Sequence, residues 1–417
     1  MKKITHSTWL GLMLWFCLLA PGWAQTLLTV AAYPAVDEII KAALPEWQKK
    51  HPQVQVKVVG REYADHHTAM TTALAASSGL PDVMTIEYGY LGRFSQSGGL
   101  VNLAADPYRA DVMANRFVAF AFQQGQHDRY GQTALPTDIG PGALFYRHDI
   151  VQKSQVKPEQ LSARWEDLID AGKQIKARSG VYLVAHARDI KDIVIRSGLS
   201  AGEGIYYNDQ GQSLVGTSPR FKRAFELAKQ VRQEGLDAKV NAWSNEWGEA
   251  LKRGNVAVQM MGAWLGGHLQ NWLAPDSAGK WRSARLPEGL AMSWGGTFYA
   301  IPQKAVNKTL AWDLIQHLTL NKAQQEQAFQ KFNAFPALKE AQSGAYFDQP
   351  VPYLGGQKAR GEWRESAQKI VPTRVFRNDP IAEEIVNAEL DLVLTKGKAI
   401  DQALADAHRL IQRRAQR

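Results

Sequence analysis

Residues Asn255–His268 read NVAVQMMGAWLGGH. Val256, Val258 and Met260 alternate with Ala257, Gln259 and Met261, the period of a strand with two unlike faces. Gly262 then precedes a tryptophan, and Gly266 and Gly267 follow it closely. Glycine removes side-chain bulk and allows tight backbone paths. The stretch therefore reads as a strand ending on Trp264, a large flat ring held on a loop with little bulk around it.

The segments on either side give that strand its context. Thr26–Ala32 (TLLTVAA) reads as a buried strand, followed by a helix with Ile39, Ile40, Ala43, Leu44 and Trp47 on one face. Pro45 inside that pattern predicts a kink or a shifted end, and His51-Pro52 closes the helix. QVQVKVV alternates as a half-buried strand; an Ala-rich helix (69–77), a Gly79-Leu80-Pro81 break and a strand, DVMTI, follow. TALPTDI (133–139) and ALFYR (143–147) read as two strands around a Gly140-Pro141-Gly142 turn. Helices are expected over 165–177 and 221–233, each stopped by a glycine. The clearest helical region is 307–332, with Leu310, Leu314, Ile315 and Leu318 at helical spacing. Two more helices, 381–394 and 400–411, flank Gly397. Strands alternating with helices give an α/β chain with mixed or parallel sheets. No repeat or low-complexity linker divides it, so two domains would share a chain that crosses between them more than once.

The chain has 417 residues, 49 basic against 40 acidic, and a single cysteine. Lys2, Lys3 and the apolar run Trp9–Ala20 read as a secretory signal peptide over residues 1–24, cleaved after Ala24. The run is shorter than the ~18 apolar residues of a membrane span. Cys17 lies within it, outside the small-residue setting of a lipoprotein site, so neither a lipid anchor nor a disulfide is expected in the remaining 393 of the 417 residues. Stability must then come from a large core, and the length suggests two or three domains. The net charge of +9 is spread along the chain. Its one dense run, RLIQRRAQR, suits a helix C-terminus, and no nucleic-acid partner is expected.

Patterns for catalysis are weak. Gly198-Leu199-Ser200-Ala201-Gly202 fits G-x-S-x-G, which needs a strand before it and a helix after it. The turn-rich YYNDQGQ follows instead, and the motif reads as a surface turn. Adjacent His66 and His67 point about 100° apart on a helix and cannot share one metal. H-E-x-x-H, P-loop and G-x-G-x-x-G patterns are absent, so neither a metal nor a cofactor is expected. The tryptophans say more. Of the ten beyond the leader, six (Trp243, Trp247, Trp264, Trp272, Trp281, Trp294) fall between residues 243 and 294. Trp272, four residues after His268, reads as core. Trp264 and Trp294 adjoin glycines, and Trp243 shares a loop with polar Ser244 and Asn245. A sugar presents an apolar C–H face and a rim of hydroxyls, which an aromatic platform beside acids and amides complements.

The whole mature chain resembles the family 1 extracellular solute-binding proteins, the maltose-binding-like receptors of ABC importers. The matching segments come in the family's order: TVAAYPAVDEI, GLPDVMTIE with LGRFSQSGGLVNL, YGQTALPTDIGPGALFYRHDIV, RWEDLIDAGKQI, NVAVQMMGAWLGG and WGGTFYAIPQKAVNKTLAWDLIQHLT. The resemblance implies a type II periplasmic-binding-protein fold with a ligand cleft between two α/β lobes. Lobe one would take residues 25–136 and 293–337, and lobe two 137–292 and 338–417. It implies a monomeric periplasmic receptor, not an enzyme, that closes on a sugar and delivers it to membrane permease subunits with their ATPases.

By the same resemblance Trp264 is the second lobe's stacking platform. Ligand residues are expected at strand ends: Tyr33, Asp37, Glu87, Tyr88 and Asp138, then Trp243 and Asn245. Trp294 would stack beside Gly295, Gly296 and Thr297, which offer backbone amides. For Tyr33, Asp37 and Asp138, turn or cap chemistry fits equally well, and Asp82 reads as a turn stabiliser. Three other readings stay open. One is a receptor for a phosphorylated polyol such as glycerol phosphate, using Arg61, Arg93 or His66. The others are a secreted glycoside hydrolase and a scaffold with no small ligand.

Overall fold

A computed structural model describes residues 25–415; the signal peptide expected over 1–24, with Cys17, lies outside them. Strand β1 (Thr26–Ala32) has the predicted limits. Strands β2 (Val54–Gly60) and β3 (Val83–Glu87) pair with it in parallel, one on each side. The helices between them are Val36–Lys50 and Tyr63–Ala76. Pro45 does not end the first of these. Pro45 and Lys41 both face solvent, so water can take the carbonyl that a proline leaves without a donor. The apolar face read from the sequence is the buried one, with Trp47 almost fully covered.

Leu135–Arg147 forms one thirteen-residue strand, β4, where two strands and a turn were expected. It is continuous because its halves serve different partners. Strands β5 (Val258–Gly262), β6 (Trp281–Ala284) and β7 (Ser293–Ala300) complete the set. The first half of β4 pairs antiparallel with β7, and the second half lies between β5 and β6. The order is β2-β1-β3-β7-β4-β5, with β6 also on β4. Gly140-Pro141-Gly142 marks the place where β4 changes partners. The register against β7 shifts between Pro136 and Asp138 and again between Ile139 and Pro141, where a missing N–H costs the ladder least.

The helical region expected over 307–332 is two helices, Lys308–Leu320 and Lys322–Phe332. Asn321 is extended between them, and its side chain caps the second by accepting from Gln324 N at 3.3 Å. The other predicted helices lie within Trp165–Ser179, Pro219–Gln233, Asp379–Lys396 and Ile400–Ala415. Trp47, Trp165, Trp247 and Trp281 are core, but Trp272 is not: it is 56% exposed. Asp82 does more than hold a turn. Its carboxylate accepts from Thr29 N at 2.8 Å and from Asn307 N at 2.9 Å, tying β1 to the start of a distant helix. The G-x-S-x-G segment follows the helix Ala187–Arg196, with Ser200 exposed and the next α-helix beginning only at Pro219.

Candidate ligand-binding site

Three open cavities have similar volume. Two, of about 530 and 650 Å³, are lined only by residues between Glu166 and Asn255. The third, of about 640 Å³, is lined from both halves of the molecule. Tyr63, Glu87, Tyr88, Gly89 and Tyr90 form one wall; Trp294 and Gly295 lie at the back; Arg188, Arg196, Tyr206 and the helix Asp379–Lys396 form the other wall.

Glu87 ends β3 and caps the helix Tyr88–Ser95, its Oε2 accepting from Gly89 N at 2.7 Å and from the Tyr63 hydroxyl at 2.8 Å. Burial holds its carboxyl above the usual range, against the pull of these donors and of Arg196. The backbone N–H of Glu87 donates to His67 Nε2 at 3.1 Å, so His67 must carry its proton on Nδ1, which donates to Tyr63 O at 2.8 Å. Burial lowers that imidazole to about 4, keeping it neutral. His66 points elsewhere, its Nε2 donating to Thr85 O at 2.8 Å. His67 thus ties Tyr63 to Glu87. Among the described residues, no group of three or more His, Cys, Asp or Glu could hold a metal ion.

Strand β7 lies between β3 and β4, so Thr297 faces Glu87 on one side and Asp138 on the other. Three polar groups thus form one row across the sheet. Tyr33 joins it, its hydroxyl 2.7 Å from Thr297 Oγ1 and its ring packed on Tyr63, His66 and His67. Burial raises Asp138 to about 6, with hydrogen bonds from Thr297 opposing the rise.

The glycines around Trp264 make room for the edge of its indole. Nε1 donates to Trp294 O at 2.7 Å. A Cβ on Gly140 would come within 1.8 Å of that carbonyl oxygen, and one on Gly262 within 2.2 Å of Nε1. Gly295 needs its freedom for a second reason, a φ of +79°. A Cβ there would lie 3.3 Å from Trp264 Nε1 and 3.7 Å from Glu87 Oε1, so ring and carboxylate flank one residue. The Trp294 ring receives the Arg196 guanidinium 4.7 Å above its face.

Of the expected residues, Glu87, Tyr88, Trp294 and Gly295 line the cleft, and Tyr33, Asp138, Trp264, Gly296 and Thr297 lie next to them without lining it. Asp37 stands apart, its carboxylate taken by Lys41 at 2.7 Å along its own helix. Asn245 opens the helix Asn245–Arg253, capped by Ser244, and faces the 650 Å³ groove. Trp243 does not line the cleft but lies on Trp264, ring centroids 5.7 Å apart. Arg61, Arg93 and His66 do not line it either; its arginines are Arg188 and Arg196.

The sequence reading missed the wall opposite Glu87. Arg188 pairs with Asp391 through both carboxylate oxygens, buried Lys191 donates to Asn387 at 2.7 Å, and Arg196 pairs with Glu383 at 3.2 Å. These contacts run as an antiparallel ladder between two helices. A signal was present. Arg188, Asp192 and Arg196 recur at every fourth position, as do Asp379, Glu383, Asn387 and Asp391, and such rows share a helix face.

Comparison with known proteins agrees with this architecture. A family model described as bacterial extracellular solute-binding protein matches residues 31–325. A lactose-binding protein of Rhizobium radiobacter is 28% identical over 392 residues, 88% of this chain and 87% of its own. The crystal structure of a family 1 extracellular solute-binding protein has a TM-score of 0.81 at 22% identity, covering 93% of this chain and 99% of that one. The sugar-binding protein MalE of Xanthomonas citri has a TM-score of 0.75 at 19% identity, covering 93% and 96%. The structural likenesses give the fold, a two-lobed, maltose-binding-like α/β architecture. With the family model matching most of its length, the chain belongs to the bacterial extracellular solute-binding protein family.

Proposed function

We propose that this chain is the sugar receptor of an ABC importer, closing on a neutral mono- or oligosaccharide and passing it to membrane permease subunits driven by ATPases. The family is extracellular, which puts the chain outside the cytoplasm; the periplasm and a monomeric state are part of the proposal. It makes and breaks no bond. The lobes divide at the crossings, 25–136 with 293–337 against 137–292 with 338–417. The pairing of β4 with partners from both sides supports this division. Names among the relatives point to the same ligand class: a lactose-binding protein and an arabinooligosaccharide-binding protein.

One observation carries the reading. Glu87, at the end of the row Glu87–Thr297–Asp138, lines the cleft together with Trp294, and Trp264 is hydrogen-bonded to Trp294 next to it, so a hydroxyl acceptor and a flat indole meet in one cleft. A carboxylate accepts from two hydroxyls while a ring covers the C–H face. The phosphate-ester alternative fits less well. The cleft is lined by five carboxylates and two arginines, and both arginines are paired with carboxylates, a poor setting for a dianion.

A thermal-shift panel of mono- and oligosaccharides beside glycerol phosphate tests this. A sugar at 100 times its Kd should stabilise the chain by about 2.7 kcal/mol, and Trp264→Ala should weaken the hit about tenfold. A response to the ester alone would end the proposal, and a loss of less than twofold would remove Trp264 as a platform.

A further inference from the structure

The aromatic surface does not stop at Trp264. Trp243 lies against it with planes 23° from parallel, and His268 stands edge-on to it at 5.4 Å. Trp272 stands edge-on to His268 at 5.6 Å and donates its indole N–H to His268 Nδ1 at 2.9 Å. These rings form one connected row leading outward from Trp264, whose indole is hydrogen-bonded to the cleft residue Trp294. Trp243 and Trp272, its outer members, are 55% and 56% exposed.

Trp243 also rests on buried Trp247, ring centroids 5.2 Å apart, yet both outer rings keep more than half of their surface open. Trp243 has a φ of +70°, a left-handed backbone that a bulky L-residue adopts only under constraint and that is enriched at functional sites. The helix bearing Trp272 widens into a π turn over Leu269–Leu273, a distortion with the same association. Polar edges accompany the faces. With Nδ1 accepting from Trp272, neutral His268 presents its proton on Nε2, free to meet a hydroxyl. The stacked pair Trp243–Trp264 and the edge-on pair His268–Trp272 leave an exposed indole at each end with a donor between them, which matches a ligand built of repeated sugar rings.

We propose that Trp243, His268 and Trp272 extend the Trp264 platform into an outer ledge seating further rings of an oligosaccharide, so that the preferred ligand is longer than a disaccharide. This rests on the sugar-receptor reading and adds ligand length to it.

The test is calorimetry with arabino-, galacto- and malto-oligosaccharides of two to five units, on the wild-type chain and on Trp243→Ala and Trp272→Ala. In the series that binds, affinity should rise about tenfold beyond the disaccharide. Each substitution should erase most of that rise and leave the disaccharide Kd within twofold. Trp272→Phe, which keeps a flat ring, should retain most of the gain and guards against a folding defect. Affinity that stays level beyond two units, or variants that weaken every length alike, would overturn the ledge while sugar binding stands. Absence of heat with every series would overturn the sugar-receptor reading, and the ledge with it.

Discussion

Asp138 shows a single residue serving the site at the expense of the fold. Burial raises its carboxyl from the ordinary value near 4 to about 6. Between those values the folded chain holds a proton that the unfolded chain has released, so stability falls as pH rises through 6. Asp138→Asn removes the charge and keeps the shape. It should stabilise the apo protein by about 1–2 kcal/mol at pH 8 in urea unfolding, with the gain fading by pH 4. An equal gain at both pH values would show that the buried charge is not the cause. Ligand affinity should fall in the same variant, because the amide replaces one accepting oxygen by a donor and removes the charge that strengthens the other. Single residues were unevenly legible in the sequence. Trp264 stood out through its glycines, whereas Trp272 was misplaced because a spacing of four identifies a neighbour, His268, and not which side of the helix faces water.

At the scale of elements, the crossing of β4 and β7 leaves no space beside Gly140. A methyl group there would meet a backbone oxygen at 1.8 Å, and backbone yields less readily than a side-chain tip. Gly140→Ala should destabilise by about 3 kcal/mol and weaken ligand binding by moving Trp294. Gly361→Ala, in open space on the helix Ala359–Lys369, should instead stabilise by about 0.5–1 kcal/mol; similar urea midpoints for the two would refute the clash. The ladder between helices Ala187–Arg196 and Asp379–Lys396 has its own weak point at Lys191, fully buried and bonded to Asp192 and Asn387. Lys191→Ala leaves a carboxylate without its cation and should cost about 3–5 kcal/mol, readable as a lowered Tm. Apolar periodicity located the second of these helices, expected over 381–394, but not the first, and it said nothing of their meeting, since a polar row looks like an ordinary solvated face until its partner row is known. Gly140-Pro141-Gly142 misled for a related reason: turn-forming residues also occur where a strand changes partners.

For the whole molecule, the ordered segments made the fold legible, but the opposing wall depends on residues near 190 and 380 that only folding brings together. A ligand touching both walls favours the closed arrangement by its differential affinity for that state. Addition of a binding sugar should therefore lower the radius of gyration in solution scattering and change tryptophan emission, given the indoles at the cleft. Identical scattering curves at saturation would mean that capture occurs without closure. Strand β4 carries one more implication. Strands β5 and β6 pair with it and not with each other, while its other half borders β7. Splitting the gene between residues 136 and 137 would therefore cut β4 itself and leave at least one fragment with a raw, unzipped flank that invites clumping, and the two fragments should be recoverable only when produced together.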